Sequence, residues 1–143
     1  MVNIYRPPSS KLEDFINDLE YFLNNINYST LPLIVVGDFN YRLKNFKKTD
    51  KFLRFLSIYG LCPVVIGDTR LTSKCSCDID WLIVNDLAFN KCSNITCTDF
   101  CFTDHNFIQF SNNFKKEVTN KIITKEKIIL TKSNLLKCKN FLI

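Results

Sequence analysis

The sequence predicts an α/β domain, and three observations lead there. Short apolar runs bounded by Pro or Gly read as buried strands, and apolar residues at helical spacing separate the first two of them. Acidic and amide side chains then fall where the runs end, which is where α/β proteins place chemistry. A chain of 143 residues with 46% hydrophobic side chains is long enough to bury one core.

Val2-Asn3-Ile4-Tyr5-Arg6 reads as a strand stopped by Pro7-Pro8, since proline donates no ladder hydrogen bond and disfavours a helical predecessor. Ser10, with Glu13 three residues on, fits a capping box. Leu12, Phe15, Ile16, Leu19, Phe22, Leu23 and Ile26 then line one face of an amphipathic helix. Leu33-Ile34-Val35-Val36, between Pro32 and Gly37, is a strand buried on both faces. Strand, helix and strand make a βαβ unit. Phe52, Leu53, Phe55, Leu56 and Tyr59 predict a second helix closed by Gly60. Further strands are expected at 61–66, 79–84, 95–97 and 107–110.

After Phe110 the pattern weakens at Ser111-Asn112-Asn113, so the expected boundary separates a domain at 1–110 from a Lys-rich connector or tail at 111–143. In that tail, Ile128-Ile129-Leu130 and Leu135-Leu136 suggest a helix that packs on something beyond this chain. The tail holds eight Lys and two Glu, a local +6, against a total of +5, so the first 110 residues carry about −1. The basicity thus belongs to the tail, either as a solvated segment or as a phosphate-binding arm. Seven cysteines without a C-x-x-C pair do not suggest structural zinc, and reduced thiols in an intracellular compartment are the expectation. No apolar run approaches the roughly 20 residues that span a bilayer, and no membrane partner is expected.

Three motifs carry the candidate chemistry: Gly37-Asp38-Phe39-Asn40, Ile79-Asp80-Trp81 and Thr103-Asp104-His105. Asp38 and Asn40 stand two residues apart, so an extended backbone aims both the same way. Asp38 can orient or deprotonate a water and Asn40 can donate to a phosphate oxygen, although an Asx-turn accounts for the same pair. Asp80 interrupts an apolar strand and needs a partner. His105, the only histidine, can supply it: a carboxylate on one ring nitrogen fixes the tautomer and leaves the other facing a phosphoryl oxygen. An ordinary hydrogen-bonded histidine fits the same residues. Asp104 is the candidate metal ligand, direct or through water, for a cation such as Mg²⁺ that favours a few carboxylates. Tyr5 and Arg6 place a phenol and a guanidinium at the same sheet edge, with Arg6 and Asn40 the candidate substrate-binding residues.

Taken in order, Ile4-Tyr5-Arg6-Pro7-Pro8-Ser9, Ile34-Val35-Val36-Gly37-Asp38-Phe39-Asn40, Ile79-Asp80-Trp81-Leu82-Ile83-Val84-Asn85 and Thr103-Asp104-His105 resemble the endonuclease/exonuclease/phosphatase superfamily. More narrowly they resemble the apurinic-type endonuclease domain of non-LTR retrotransposons, over about residues 2–110. The resemblance implies a four-layer α/β sandwich, a divalent metal, usually Mg²⁺, and hydrolysis of a DNA phosphodiester by in-line attack of water. It implies that Asp38 positions the water, Asn40 holds the phosphate, Asp80 orients His105, and His105 stabilises the phosphoryl group. Asp104 would serve the metal region and Tyr5 would contact phosphate. A reverse transcriptase often follows such domains, which would make the tail a connector and the nucleus a place of work.

The family's N-terminal half carries an Asn and the Glu that is its principal metal ligand, and the matched motifs begin after both. The expectation is therefore a partial sandwich lacking its N-terminal half, with weak or no activity by itself. Asp78 stands where many members have Arg, and Thr103 replaces the usual Ser. Two alternatives remain at this stage: a phosphatase of the same superfamily acting on inositol phosphates or sphingolipids, and a non-catalytic fragment that binds nucleic acid through its tail.

Overall fold

The computed structural model describes residues 1–42, 50–64 and 67–114, with the backbone of two further strands at 128–129 and 137–140. In chain order the elements are β1 (Val2–Tyr5), α1 (Leu12–Asn24), β2 (Ile34–Asp38), α2 (Lys51–Ile58), β3 (Leu61–Val64), β4 (Arg70–Leu71) and β5 (Ser76–Cys77). They continue as β6 (Asp80–Asn85), α3 (Asp86–Phe89), β7 (Cys92–Thr98), β8 (Phe107–Asn112), β9 (Ile128–Ile129) and β10 (Lys137–Asn140).

Six strands form one sheet in the order β3-β6-β2-β1-β10-β9, while β4-β5 and β7-β8 are separate two-stranded sheets. The expected βαβ unit is present, with β1 and β2 parallel on either side of α1. The other ladders of the main sheet are antiparallel.

Strand alternation divides the core in two. Val2, Ile4, Val35, Trp81 and Ile83 face α1 and α2, where Phe15, Leu19, Leu23, Phe52 and Leu56 meet them. Ile34, Leu82 and Val84 face the other way, toward Ala88 of α3 and the partly buried Ile95 and Phe110 of the β7-β8 hairpin. This is why the β2 and β6 segments read as continuous apolar runs: a strand covered on both faces has no polar side. Trp81 is fully buried, stacks on Phe39 at 5.1 Å between ring centroids, and donates its indole N–H to the Asp78 carbonyl at 3.0 Å.

Close packing of β1 on β2 depends on Gly37. A Cβ there would lie 1.7 Å from the Ile4 carbonyl oxygen, and φ is +154°. Gly60 ends α2 at φ +63°, as expected of a helix terminus.

Several details differ from the sequence reading. The residue before α1 is Lys11, without a side-chain cap, and the Ser10 hydroxyl donates instead to the Pro7 carbonyl at 2.9 Å. The Pro7-Pro8 turn closes on itself and so takes the hydroxyl away from the helix. Asp50 caps α2, accepting from the amides of Phe52 and Leu53 at 3.0 Å each. Beyond residue 110, Ile128–Ile129 and Lys137–Asn140 are strands, where a helix was expected; β10 pairs with β1, placing Val2 opposite Asn140. Part of the basic segment thereby joins the main sheet, and Leu130, Leu135 and Leu136 lie outside the described residues. Residues 65–66 of the strand expected after Gly60 also lie outside them. Among the described residues no helix is long and apolar enough to cross a membrane.

Candidate active site

The last residue of β2 and the first of β6 are cross-strand partners: Asp38 pairs with Asp80, and Tyr5 of β1 pairs with Asp38 on its other side. Register partners point to the same face, so three adjacent strand ends form one polar row on the face opposite α1 and α2. His105 reaches this row from the segment preceding β8. Its Nδ1 lies 2.9 Å from Asp80 Oδ2 and 3.1 Å from Oδ1. Asp80 accepts, so Nδ1 carries the proton and Nε2 is turned away from the carboxylate. One ligand atom from each of Asp38, Asp80 and His105 lies within 4.8 Å of the others.

Asp38 is half-buried. Burial pushes its carboxyl above the ordinary value, the Asn40 amide pulls the other way, and the Asp80 charge adds to the rise while His105 and Arg70 oppose it. Asn40 is left-handed at φ +45°, and its backbone N–H donates to Asp38 Oδ1 at 2.8 Å. Both side-chain amide hydrogens are taken, by the Arg6 carbonyl at 2.8 Å and Asp38 Oδ2 at 3.1 Å. Turning the amide over would set its oxygen against two acceptors, so the orientation is fixed. The Asx-turn alternative is thus realised, while the expected donation from Asn40 to a phosphate oxygen is not available, because both hydrogens are spent within the turn; what Asn40 offers is Oδ1, an acceptor.

Arg6, expected at the substrate, is 7% exposed. Its guanidinium donates to the carbonyls of Phe39 and Asn40 at 3.1 Å each and of Ser10 at 2.6 Å. It braces the turn that carries Asp38 and Asn40. Burial lowers its pKa, while Tyr41 and Asp38 raise it. Tyr5 is 58% exposed beside Asp38. Asp104 stands apart from the Asp38, Asp80 and His105 group; its carboxylate accepts from Arg70 Nε at 2.7 Å, which holds its pKa below the ordinary value.

Sequence reasoning missed Thr69 and Arg70. Thr69 is buried, and its Oγ1 accepts from the amides of Ile79 at 3.1 Å and Asp80 at 2.8 Å, fixing the start of β6. Its carbonyl accepts from the Asn106 amide at 2.6 Å, which ties the histidine segment to the same point. The available signal was Gly67-Asp68-Thr69-Arg70, a turn string between two strand candidates, but a two-residue strand has no periodicity to detect.

For a divalent cation, Asp38 and Asp80 offer hard oxygen donors from two strands at one sheet edge. That donor set suits an ion that keeps several waters. Asp104, engaged by Arg70, is not among those donors.

A solved structure with the same fold is the endonuclease domain of TRAS1, a telomere-specific non-LTR retrotransposon, with a TM-score of 0.65 at 15% identity. The superposition covers 78% of this chain and 56% of that one, so this chain spans little more than half of that domain's length. Among curated proteins none matches. The family model described as endonuclease-reverse transcriptase matches residues 1–109, the same stretch that holds the helices, the polar row and His105. This chain belongs to the endonuclease-reverse transcriptase family.

Proposed function

We propose that the polar row hydrolyses a phosphodiester of DNA. The observation that carries this reading is the His105 to Asp80 pair at 2.9 Å, set against Asp38 by the β2-β6 register. Asp38 and Oδ1 of Asn40, which no hydrogen bond among the described residues engages, accept the hydrogens of one water and hold it for attack. Asp80 keeps the imidazole oriented so that, in the imidazolium form, its Nε2–H donates to the phosphoryl oxygens as charge builds there. Tyr5, exposed on the neighbouring strand, contacts the phosphate.

A Mg²⁺ ion held by Asp38 and Asp80 would supply charge stabilisation when bound. Because the superposition covers 56% of the TRAS1 domain, we further propose that this chain has weak or no activity by itself. A DNA substrate implies intracellular action, with the nucleus as one location.

Nicking of supercoiled plasmid with Mg²⁺ tests the reading. His105→Ala and Asp80→Asn should each lower the rate by about 100-fold or more. Nicking that survives both substitutions, or that is indifferent to chelation of the metal, would remove the site or its cation from the reaction.

A further inference from the structure

Two carboxylates side by side repel an anionic diester, so a site built on Asp38 and Asp80 needs a cation facing the substrate. Arg6 cannot serve, since three carbonyls enclose its guanidinium. Arg70 is different. Its backbone bridges to that of His105, and its side chain is 38% exposed. Among the described residues only Nε is engaged, by Asp104 Oδ2 at 2.7 Å, and no hydrogen bond occupies its terminal amino groups. The charge also reaches Asp38, whose carboxyl it favours in the ionised form.

The Arg70 to Asp104 pair is not needed to join the two segments. The Leu71 amide already donates to the Asp104 carbonyl at 2.8 Å, and the Asn106 amide to the Thr69 carbonyl at 2.6 Å. A lysine would place its single nitrogen on Asp104 and have no second planar edge to present. A guanidinium can be held through Nε while its outer edge binds two oxygens.

We propose that Arg70 is the phosphate-binding residue of this site, held by Asp104 through Nε and presenting its terminal amino groups to the non-bridging oxygens of a phosphodiester. The proposal rests on the hydrolytic reading above, but its tests do not require cleavage. Asp104 then acts through Arg70 as a positioning residue.

The full chain can be titrated with dimethyl phosphate while the arginine Nε–Hε signals are followed by NMR, the Arg70 signal being assigned by its loss in Arg70→Gln. The Arg70 signal should shift and the Arg6 signal should not. Binding of a fluorescent oligonucleotide over a salt series should weaken in Arg70→Gln, with the slope of log affinity against log salt reduced by about 1. Asp104→Asn should weaken binding less, and Arg70→Lys should fall between wild type and Arg70→Gln. An unchanged Trp81 indole signal shows that each variant is folded.

An Arg70 signal that dimethyl phosphate leaves in place, or an Arg70→Gln protein with wild-type affinity and slope, overturns the proposal. So does loss of Mn²⁺ broadening at His105 in Asp104→Asn, which would make Asp104 a cation ligand. Failure of the hydrolytic reading looks different: no nicking, or nicking unaffected by His105→Ala, with the Arg70 shift intact.

Discussion

Asp38 is raised by burial, and the direction of that shift sets a pH signature. A carboxyl raised on folding contributes stability that is complete below its unfolded value and is lost as pH climbs through its folded one. The stability of Asp38→Asn relative to wild type should therefore increase as pH rises from the ordinary carboxylate value through the raised one. Urea midpoints for the two proteins across that window check it; a constant difference would mean that the burial is not felt. Asp78 poses the opposite problem. It is 2% exposed, and neither carboxylate oxygen has a hydrogen-bond partner among the described residues. A buried polar group left unpaired costs about 1–3 kcal/mol, so Asp78→Leu should raise the unfolding free energy by about that much at neutral pH. The role of Arg6 was not legible from its neighbours in sequence, because its partners Phe39 and Asn40 lie 33 and 34 residues away. A guanidinium at a strand end looks the same whether it turns outward to solvent or inward to carbonyls.

At the scale of elements, Gly37→Ala should break the pairing of β1 with β2, since the new methyl would meet backbone rather than a movable side chain. A loss of about 4 kcal/mol or more in urea unfolding is expected, at the upper end for a single substitution. Asp50→Ala removes the cap of α2 and the acceptor of the Tyr41 hydroxyl, and should cost about 1–2 kcal/mol. Burial and the Asp50 charge push the Tyr41 phenol up to about 12; Asp50→Ala should lower it in an absorbance titration. Elements with many apolar positions were legible: α1, α2, β2 and β6 stand within two residues of where periodicity put them. The four-residue α3 was not, because it is too short to show a period, nor were the two-residue strands β4 and β5, which are held by contacts from elsewhere, such as the Leu71 amide that donates to the Asp104 carbonyl at 2.8 Å.

For the whole molecule, the order of motifs disclosed the fold class and the meeting of Asp38, Asp80 and His105 at one sheet edge, but not that Asp104 would turn to Arg70 or Arg6 to backbone carbonyls. It did not disclose that β10 would lie beside β1, since a ladder between residues 2 and 140 leaves no local trace. The aromatic cluster of Phe15, Phe39, Phe52 and Trp81 joins the helices to the turn that bears Asp38 and Asn40. Trp81→Ala should therefore cost about 3–5 kcal/mol and disturb the site with the core, seen as loss of the His105 to Asp80 pairing in the imidazole NMR signals.

The pairing of Asp38 with Asp80 makes the chemistry a gauge of correct assembly. Were β6 to shift by a single place against β2, Trp81 would turn onto the face that bears Asp38, and Asp80 into the aromatic core. A misthreaded copy would thus lack the Asp38, Asp80 and His105 grouping altogether, so the grouping exists only once the strands have settled in register.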